Sequence, residues 1–375
     1  GRLMEPKTPY FLIDEAALEK NLQILKSVSD ASGAKILLAQ KAYSCFATYP
    51  LIAEYLDGTA ASGLYEARLG KEHFGKQTHV FSPAFREEET EELAKYCDHV
   101  IFNSPAQAKK FAPFFRARNI SCGLRVNPER STQQGHAQYD PCAPCSRLGT
   151  TILEFDESVL PLLDGLHMHT LCEQNSDALE ETVEALEEKF GKYLSRLRWL
   201  NLGGGHHITR GDYDIPQLLS LLVRLRERYG LQIYLEPGEA VVLNAGTLVS
   251  RVLDIVQNGM DIAILDASAA CHMPDVLEMP YRPPVRNGGA PNEKKYTYRL
   301  AGPTCLAGDI IGDYSFDAPL CCGDEIVFED MALYTMVKTN TFNGMPLPAI
   351  ALKKEDGSIR VLKTFSYENF KTRLS

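Results

Sequence analysis

Short apolar runs separated by stretches of helical spacing organise the first two thirds of the chain. In the clearest run, Lys35–Gln40, the consecutive residues Ile36, Leu37 and Leu38 are apolar, which is typical of a strand covered on both faces. Runs of this kind predict eight strands, at Lys35–Gln40, Thr59–Ser62, Thr78–Ser82, His99–Asn103, Cys122–Asn127, Gly165–Thr170, Trp199–Gly203 and Ile233–Glu236. Helical spacing separates most of them, for example at Leu64–Phe74, Glu87–Tyr96, Pro105–Arg116 and Leu179–Leu197.

The alternation of strands and helices predicts a parallel sheet that closes into a (β/α)8 barrel of the TIM type, over residues 14–245. An open doubly wound sheet is the alternative, but it needs a nucleotide-binding fingerprint after its first strand, and Lys41–Ser44 is not one. Before the barrel, Asp14 is a predicted N-cap of a helix that Gly33 ends. The Gln-, Pro-, Gly- and Cys-rich segment Pro128–Arg147 interrupts the alternation and is predicted to be an excursion over the barrel mouth.

The pattern changes after Ala245. Short β-like runs follow without intervening helices, and turn-rich segments such as Arg282–Gly289 separate them. We therefore expect a second, mostly antiparallel β domain over residues 246–375, which also takes the N-terminal strand Thr8–Ile13 from residues 1–13. Examples of its other predicted strands are Thr247–Ile255, Ile262–Asp266, Tyr296–Leu300, Glu325–Phe328 and Ile359–Leu362.

Charge and composition narrow the function classes. With 39 basic and 49 acidic side chains, the net charge of −10 argues against nucleic acid and anionic membranes as partners and is compatible with a cationic small molecule. No apolar run approaches the ~20 residues that span a bilayer, and Gly1–Lys7 has no signal-peptide hydrophobic region. The ten scattered cysteines predict reduced thiols in a cytoplasmic protein. Cys142 and Cys145 have the spacing of half a zinc site, but no second pair follows, so no metal is expected.

The carboxyl ends of the predicted barrel strands, where the active sites of such barrels lie, carry four chemical features. They are Lys41, His169, the triglycine of Gly203, Gly204 and Gly205, and Glu236. Singly, each has a plainer interpretation: a solvated loop lysine, a core histidine, a turn and a salt-bridged carboxylate. Together they match the needs of pyridoxal phosphate, which takes a desolvated lysine for a covalent bond, backbone N–H groups around its phosphate and a carboxylate at its pyridine nitrogen.

Several longer segments resemble one known family. Gly165–Glu173, Asp266–Asp275, Gly302–Asp309 and the region of Tyr334 with Thr341–Gly344 are similar to segments of the alanine-racemase-like, fold-type III pyridoxal-phosphate decarboxylases. The resemblance covers nearly the whole chain and is greatest to the members that decarboxylate carboxynorspermidine or carboxyspermidine in polyamine biosynthesis. It implies a barrel joined to a β domain, a pyridoxal phosphate cofactor and a homodimer with shared active sites.

The resemblance also implies roles for individual residues. The expected cofactor-binding residues are Lys41, His169, Gly203, Gly204, Gly205, Glu236 and Tyr334. Of these, Lys41 is expected to bind the cofactor covalently and His169 to pack on its ring. Cys305 is expected to return a proton to the substrate α-carbon, as a general acid does, and Asp309 to line the substrate site. Both would reach into the active site of the partner subunit.

One departure from the wider family bears on the substrate. Ornithine- and diaminopimelate-type relatives carry arginine where this chain has Glu239, so a contact for an anion is replaced by a negative charge. Glu239 is therefore expected to bind a protonated amine of an extended aminoalkyl substrate, with Asp275 as a second candidate. The plainer interpretation is that Glu239 only caps the next helix.

Other functions stay open. A diaminopimelate- or ornithine-type decarboxylase is opposed by Glu239 and by Cys271–Asp275, and a racemase by Cys305, which stands where a tyrosine base is expected. A non-catalytic pyridoxal-phosphate-binding protein would resemble only the barrel, so the chain after Ala245, with Cys305 and Tyr334, opposes it. A barrel that has lost catalysis and acts as a regulatory partner would lack site residues that are all present here.

Overall fold

A computed structural model describes residues 5–133 and 137–375. Within this part the chain divides into two compact units. The barrel unit comprises Asn21–Lys41 and Cys45–Val241, and the sheet unit comprises the chain up to Lys20, Ala42–Ser44 and Val242–Ser375. Residues 134–136 of the predicted excursion lie outside the described residues. In the described ranges, no helix combines the length and the apolar character needed to cross a lipid bilayer.

After β1 (Tyr10–Asp14) and α1 (Glu15–Ser32), eight parallel strands form a closed barrel, so the barrel prediction is confirmed. The barrel strands are β2 (Lys35–Ala39), β3 (Gly58–Ala61), β4 (Gln77–Phe81), β5 (His99–Phe102), β6 (Ser121–Arg125), β7 (Gly165–His167), β8 (Trp199–Asn201) and β9 (Gln232–Leu235). The helices of this unit are α2 (Tyr49–Ala53), α3 (Leu64–His73), α4 (Thr90–Tyr96), α5 (Pro105–Arg116), α6 (Ser176–Leu194), α7 (Ile215–Tyr229) and α8 (Glu239–Val242). The barrel closes where Lys35 and Ile36 of β2 pair with Tyr234 and Leu235 of β9.

Local sequence signals fix where the barrel helices begin and end. The Asp214 side chain accepts a hydrogen bond from the Gln217 amide at the start of α7, beside Pro216 in the first turn. Gly230 ends α7 with a φ of +68°, a conformation that glycine adopts at little cost. Ser104 caps α5 in the same way as Asp214 caps α7. Since an N-cap of this type contributes about 1 kcal/mol, these residues help to set the short connections between strands.

Side chains fill the barrel interior, Trp199 of β8 among them. A Cβ atom at Gly123 or Gly165, on the two preceding strands, would come within 2.3 or 2.1 Å of the indole ring. These two positions therefore accept no side chain while the indole is present. The indole N–H donates to Ser121 Oγ at 2.9 Å, which fixes the ring. The barrel is thus packed near the amino ends of these strands, which leaves the carboxyl ends for chemistry.

Two histidines stack inside the same core. The ring centroids of His79 and His99 lie 3.8 Å apart, and that of His99 lies 4.9 Å from that of Trp199. Burial holds the pKa of His79 well below its usual value and lowers the pKa of His99 to about 4. Both rings are therefore neutral at pH 7, and the core contains a pair of groups that resist protonation.

Among its described residues the sheet unit contains eight strands, which form two parallel pairings while the other pairings are antiparallel. Its strands after β1 are β10 (Gly246–Gln257), β11 (Asp261–Leu265), β12 (Tyr296–Ala301), β13 (Ile310–Phe316), β14 (Glu325–Phe328), β15 (Ala349–Lys353) and β16 (Ile359–Lys363). The order is β13-β12-β11-β10-β1-β15-β16, and β14 pairs with β10. Strand β1 therefore joins the C-terminal strands, as predicted. The helices of the unit's C-terminal part are α9 (Ala269–His272), α10 (Asp275–Glu278) and α11 (Tyr367–Lys371).

Candidate active site at the carboxyl end of the barrel

Lys41 lies two residues beyond β2, at the carboxyl end of the barrel strands. Its side chain has access to solvent although the strand before it is buried. Desolvation by the surrounding protein lowers the pKa of Lys41, and the charge of Arg125 lowers it further, against an opposing effect of Glu236. A side chain that is accessible yet desolvated is typical of a cleft. Its amine is more often neutral, and hence nucleophilic, than the amine of a surface lysine.

A His-x-His pair at the end of β7 places two imidazoles on one face of the chain, because side chains in extended backbone alternate with a period of two. His167 Nε2 lies 2.7 Å from Glu236 Oε1, and both side chains are buried. His169 is half-buried, and burial together with the charge of Lys41 holds its pKa well below the usual value. His169 is therefore a neutral ring at pH 7, which suits packing against an aromatic cofactor.

Glu236 directly follows β9 and is a buried carboxylate among basic groups. Burial alone would raise its pKa, but the neighbouring His167 and Lys41 hold the pKa of Glu236 below its usual value. The side chain is therefore ionised at pH 7. A buried anion of this kind fits the pyridine nitrogen of pyridoxal phosphate, which needs a carboxylate partner to stay protonated.

The triglycine turn after β8 packs tightly against other backbone. A Cβ atom at any of its three positions would come within 2.2–2.5 Å of a carbonyl oxygen, and Gly203 and Gly205 have φ values of +67° and +81°. The Gly203 N–H donates to Asn201 Oδ1 at 2.8 Å, and the Gly204 N–H donates to His169 Nδ1 at 3.0 Å. Within the described part of the chain, the Gly205 N–H has no acceptor. It is thus the triglycine amide that stays available to a phosphate oxygen.

Arg125 is a further charged group at this end of the barrel. Its guanidinium is buried, lies 4.7 Å from the Phe81 ring centroid and donates to the His169 carbonyl at 3.2 Å. Burial lowers the pKa of Arg125 to about 10, so the group stays charged at pH 7. The positive charges of Arg125 and Lys41 oppose each other unless Lys41 is neutral or an anion binds. That arrangement suits a phosphorylated cofactor attached to Lys41.

A second group of side chains lies on the connections that carry His169, the triglycine and Glu236. Glu239 is the first residue of α8, and its Oε2 lies 3.2 Å from His207 Nε2. With Glu173, these residues place three ligating atoms within 4.8 Å of one another, a spacing that suits a cation. A hydrogen bond with Glu239, followed by burial, raises the pKa of Glu173 to about 7. The two carboxylates thus share a proton near neutral pH, and a bound ammonium group would favour the doubly ionised pair, so that the proton leaves to solvent.

A cavity of about 390 Å³ opens beside Glu173. Its wall includes Asp177 and Glu181 of α6, together with Arg210. Lys41 and Glu236 are not part of this wall. A wall with three carboxylates and one guanidinium suits the positively charged end of a long ligand.

Cys305 and Asp309 belong to the sheet unit. Asp309 is buried and accepts hydrogen bonds from Ser268 Oγ at 2.8 Å and Thr304 Oγ1 at 2.7 Å. Cys305 is exposed, and its amide donates to Asn343 Oδ1 at 2.7 Å. Within one chain, Asp309 therefore braces the loop that carries an accessible Cys305 thiol.

Tyr334 and Asp275 also belong to the sheet unit. Tyr334 has a φ of +50°, and its amide donates to the Ala42 carbonyl at 2.9 Å. Asp275 is buried and accepts a hydrogen bond from Lys338 Nζ at 2.6 Å, while Glu278 lies 3.2 Å from the same Nζ. Lys338 thus occupies the position that a substrate amine would take at Asp275. The geometry favours Glu239 over Asp275 as the contact for that amine.

The barrel brings one set of predicted residues together at its carboxyl end and adds others. The predicted residues found there are Lys41, His169, Gly203, Gly204, Gly205, Glu236 and Glu239. The sequence pattern did not single out His167, Arg125 or Glu173. His167 had a signal, since one residue separates it from His169 in the predicted strand Gly165–Thr170. Arg125 and Glu173 had none, because only the closed barrel brings them to the other groups.

Comparisons with known proteins agree with this arrangement. Residues 12–332 match the family described as pyridoxal-dependent decarboxylase, C-terminal sheet domain. A carboxynorspermidine/carboxyspermidine decarboxylase of Campylobacter jejuni is 43% identical over 98% of each chain. A carboxyaminopropylagmatine decarboxylase of Synechocystis is 39% identical over 100% of this chain and 97% of that one. The crystal structure of carboxynorspermidine decarboxylase from Campylobacter jejuni, complexed with norspermidine, has a TM-score of 0.92 at 42% identity, and covers 98% of this chain and 100% of that one.

These matches confirm the resemblance, the fold class and the cofactor expected from the sequence. The barrel supplies what pyridoxal phosphate requires: a desolvated amine, a buried carboxylate, a neutral imidazole and an open backbone amide. The chain is therefore a carboxy-lyase that belongs to the pyridoxal-dependent decarboxylase family.

Proposed function

We propose that this protein uses pyridoxal phosphate to remove the α-carboxylate of carboxynorspermidine or carboxyspermidine, giving norspermidine or spermidine. The observation that carries the proposal is the Glu173–Glu239 carboxylate pair, which follows the cofactor residues on their barrel connections. Two carboxylates suit a substrate with protonated amines far from its α-carbon. The name of the Campylobacter jejuni relative supports this choice of substrate.

Each residue of the barrel has a defined task in this proposal. When bound, pyridoxal phosphate supplies a ring that accepts the electron pair left as carbon dioxide departs. Lys41 provides the neutral amine for covalent attachment, and Glu236 holds a proton at the pyridine nitrogen. His169 packs on the ring, and the Gly205 amide holds the phosphate.

The sheet unit supplies the remaining groups in this proposal. Cys305 donates a proton to the α-carbon after the carboxylate has left. Asp309 keeps the Cys305 loop in place through its contacts with Ser268 and Thr304. Tyr334 is a second phosphate contact.

Replacing Glu239 with arginine tests the substrate assignment. A charge-assisted hydrogen bond to an ammonium group is worth about 1.5–3 kcal/mol, so its loss should lower kcat/KM for both carboxypolyamines by about 10- to 100-fold. Cofactor absorbance should stay at the wild-type level, because Lys41 and Glu236 are unchanged. The measurement is turnover of both carboxypolyamines, diaminopimelate and ornithine.

Glu184→Arg, on an exposed position of α6, makes the same charge change as a control and should leave turnover unaffected. An equal loss of cofactor and activity in Glu239→Arg would contradict the substrate assignment. So would a wild-type preference for diaminopimelate or ornithine.

A second candidate substrate is carboxyaminopropylagmatine. The Synechocystis relative named for it matches the whole of this chain at 39% identity. Paired carboxylates such as Glu173 and Glu239 also suit a planar guanidinium group, which can donate to both. Adding this compound to the panel separates the two candidates, since the preferred substrate has the highest kcat/KM.

A homodimer with shared active sites is part of the proposal. Leu306 and Phe342 expose 43% and 48% of their surface, and the Cys305–Asn343 hydrogen bond holds their two segments together. Exposed apolar side chains beside a catalytic thiol suit a surface that a second copy covers. Light scattering of the purified protein should give the mass of a dimer, and a monomer mass at micromolar concentration would refute this part.

Domain limits and location complete the proposal. We assign residues 14–245 to the cofactor-binding domain and residues 1–13 with 246–375 to the β domain. The pairing of β1 with β10 and β15 supports these limits. No disulfide joins any of the ten cysteines, which supports the reducing cytoplasm as the location.

A further inference from the structure

His167 is the last residue of β7 and exposes only 2% of its surface. Its Nε2 lies 2.7 Å from Glu236 Oε1. Its Nδ1 is buried and has no hydrogen-bond partner among the described residues. The ring also stacks on Phe81, with centroids 5.7 Å apart and planes 8° from parallel. The imidazole is therefore fixed in place and makes one polar contact, with Glu236.

The two nitrogens of His167 define its protonation state. The contact with Glu236 is a hydrogen bond only if Nε2 carries a proton, because an ionised carboxylate can only accept. A second proton at Nδ1 would be a buried donor without an acceptor, which is costly. Burial lowers the pKa of His167 in the same sense. The stable form is thus the neutral imidazole with its proton on Nε2.

The charges that face Glu236 come from several strands. Lys41 follows β2, and Arg125 ends β6. His206, after the triglycine, is buried, and burial lowers its pKa to about 4, so it is neutral at pH 7. A neutral His167 donates a hydrogen bond to Glu236 without cancelling its charge. The carboxylate charge therefore stays available to a cationic partner.

We propose that His167 is a positioning residue that holds one oxygen of the Glu236 carboxylate, so that the other faces the pyridine nitrogen of the cofactor. This inference rests on the proposed function for the identity of the cationic partner. The hydrogen bond from His167 restricts the three torsions of the Glu236 side chain, which also has the neutral Asn201 amide as a hydrogen-bonding neighbour. Without the His167 hydrogen bond, a carboxylate in this buried place would be easier to protonate.

Two measurements on the protein without cofactor test the inference directly. In ¹⁵N NMR spectra, His167 should show a protonated Nε2 and a bare Nδ1 at pH 7. A doubly protonated ring would overturn the inference. With ¹³C-labelled glutamate carboxyl groups, His167→Leu should raise the pH at which Glu236 titrates by about one unit, and His167→Gln, which keeps an N–H donor, should restore much of the difference.

His79→Leu removes another buried barrel histidine and serves as the matched control, since it should leave the Glu236 titration unchanged. An unchanged Glu236 titration in His167→Leu would overturn the inference. If His167→Leu does not fold, the inference is still tested by the protonation state of the His167 ring in the wild type and by the titration of Glu236 in His167→Gln.

The holoenzyme measurement separates this inference from the proposed function. With ¹⁵N-labelled pyridoxal phosphate, the pyridine nitrogen should lose its proton in His167→Leu, and kcat should fall about tenfold with KM for the substrate unchanged. A pyridine nitrogen that stays protonated overturns the inference. If the wild-type protein binds no pyridoxal phosphate, the proposed function fails. The effect of His167 on Glu236 in the cofactor-free protein is then still tested by the two earlier measurements.

Discussion

Replacing Lys41 with alanine is expected to abolish covalent cofactor binding and to lower kcat/KM by about 10³-fold or more. The reason lies in the environment of this amine. Desolvation and the charge of Arg125 favour its neutral, nucleophilic form, and the closed barrel places Glu236 within electrostatic reach of it. The measurement combines the visible absorption of the protein–cofactor complex with release of carbon dioxide from the carboxypolyamines.

Two variants make this result specific. Lys41→Arg keeps the positive charge but offers no amine of suitable pKa, so it should be as inactive as the alanine variant. Lys35→Ala removes the lysine at the opposite end of the same strand and should keep both the cofactor and the activity. Wild-type absorption in Lys41→Ala, or its loss in Lys35→Ala, would contradict the assignment.

Acidification is expected to destabilise the barrel through the stacked histidines. His99 is neutral in the folded protein, where burial lowers its pKa to about 4, but it takes up a proton below a pKa of about 6.5 when unfolded. The unfolded chain therefore binds more protons between these values, and stability falls as the pH falls. From pH 7 to pH 5 the contribution of His99 amounts to a loss of about 2 kcal/mol in the free energy of unfolding.

Urea unfolding at the two pH values measures this loss. Fluorescence of Trp199, the single tryptophan, reports on the barrel core because its ring lies 4.9 Å from that of His99. His99→Phe should lose about 2 kcal/mol less than the wild type over this range. His73→Phe, at an exposed position, should behave as the wild type does. An equal loss in His99→Phe and the wild type would show that His99 is not the acid-sensitive group.

The barrel was predictable because its strands are buried on both faces and its helices carry their own signals. The helix Pro105–Arg116 is found with the predicted bounds, since Ser104 and Pro105 define its start locally. The predicted strand Gly165–Thr170 ends at His167 in the structure. After His167 the chain no longer pairs with the neighbouring barrel strands, and His169 contacts active-site residues instead. The end of this strand therefore depends on contacts with residues of other strands, which the local sequence pattern does not show.

The second domain was harder to predict in detail. Strands β13 and β15 were not among the predicted runs, although both pair with predicted neighbours. In β13, Gly312 and Asp313 interrupt the apolar alternation, because Gly312 lies under Arg282 and Asp313 pairs with Arg299. The residue types at these two positions are determined by contacts with other segments of the sheet and not by the alternation of apolar residues along the strand.

The site was predictable as far as single strand ends carry chemistry. Lys41 and Glu236 each stand at the carboxyl end of a buried run, and barrel geometry alone brings such ends together. The triglycine was expected to offer its amides to a phosphate, but two of them serve Asn201 and His169. The hydrogen bond with His169 forms because the loops after neighbouring barrel strands come close together, and this proximity is visible only in the folded structure.

Glu173 illustrates the same limit for specificity. It follows the His-x-His segment in a connection without regular structure, and its proximity to Glu239 arises from strands β7 and β9, which are not neighbours in the barrel. The sequence identified one carboxylate of the pair, Glu239, because related decarboxylases carry arginine at that position. The partner that changes the proton affinity of the pair became visible only in the structure.

The most direct test of the account is to fix the cofactor to the protein with borohydride and to map the modified peptide by mass spectrometry. Protein purified with pyridoxal phosphate should carry the reduced cofactor on Lys41, and on that lysine alone. Modification of a different lysine, or an unmodified Lys41 in protein that releases carbon dioxide from a carboxypolyamine, would contradict it.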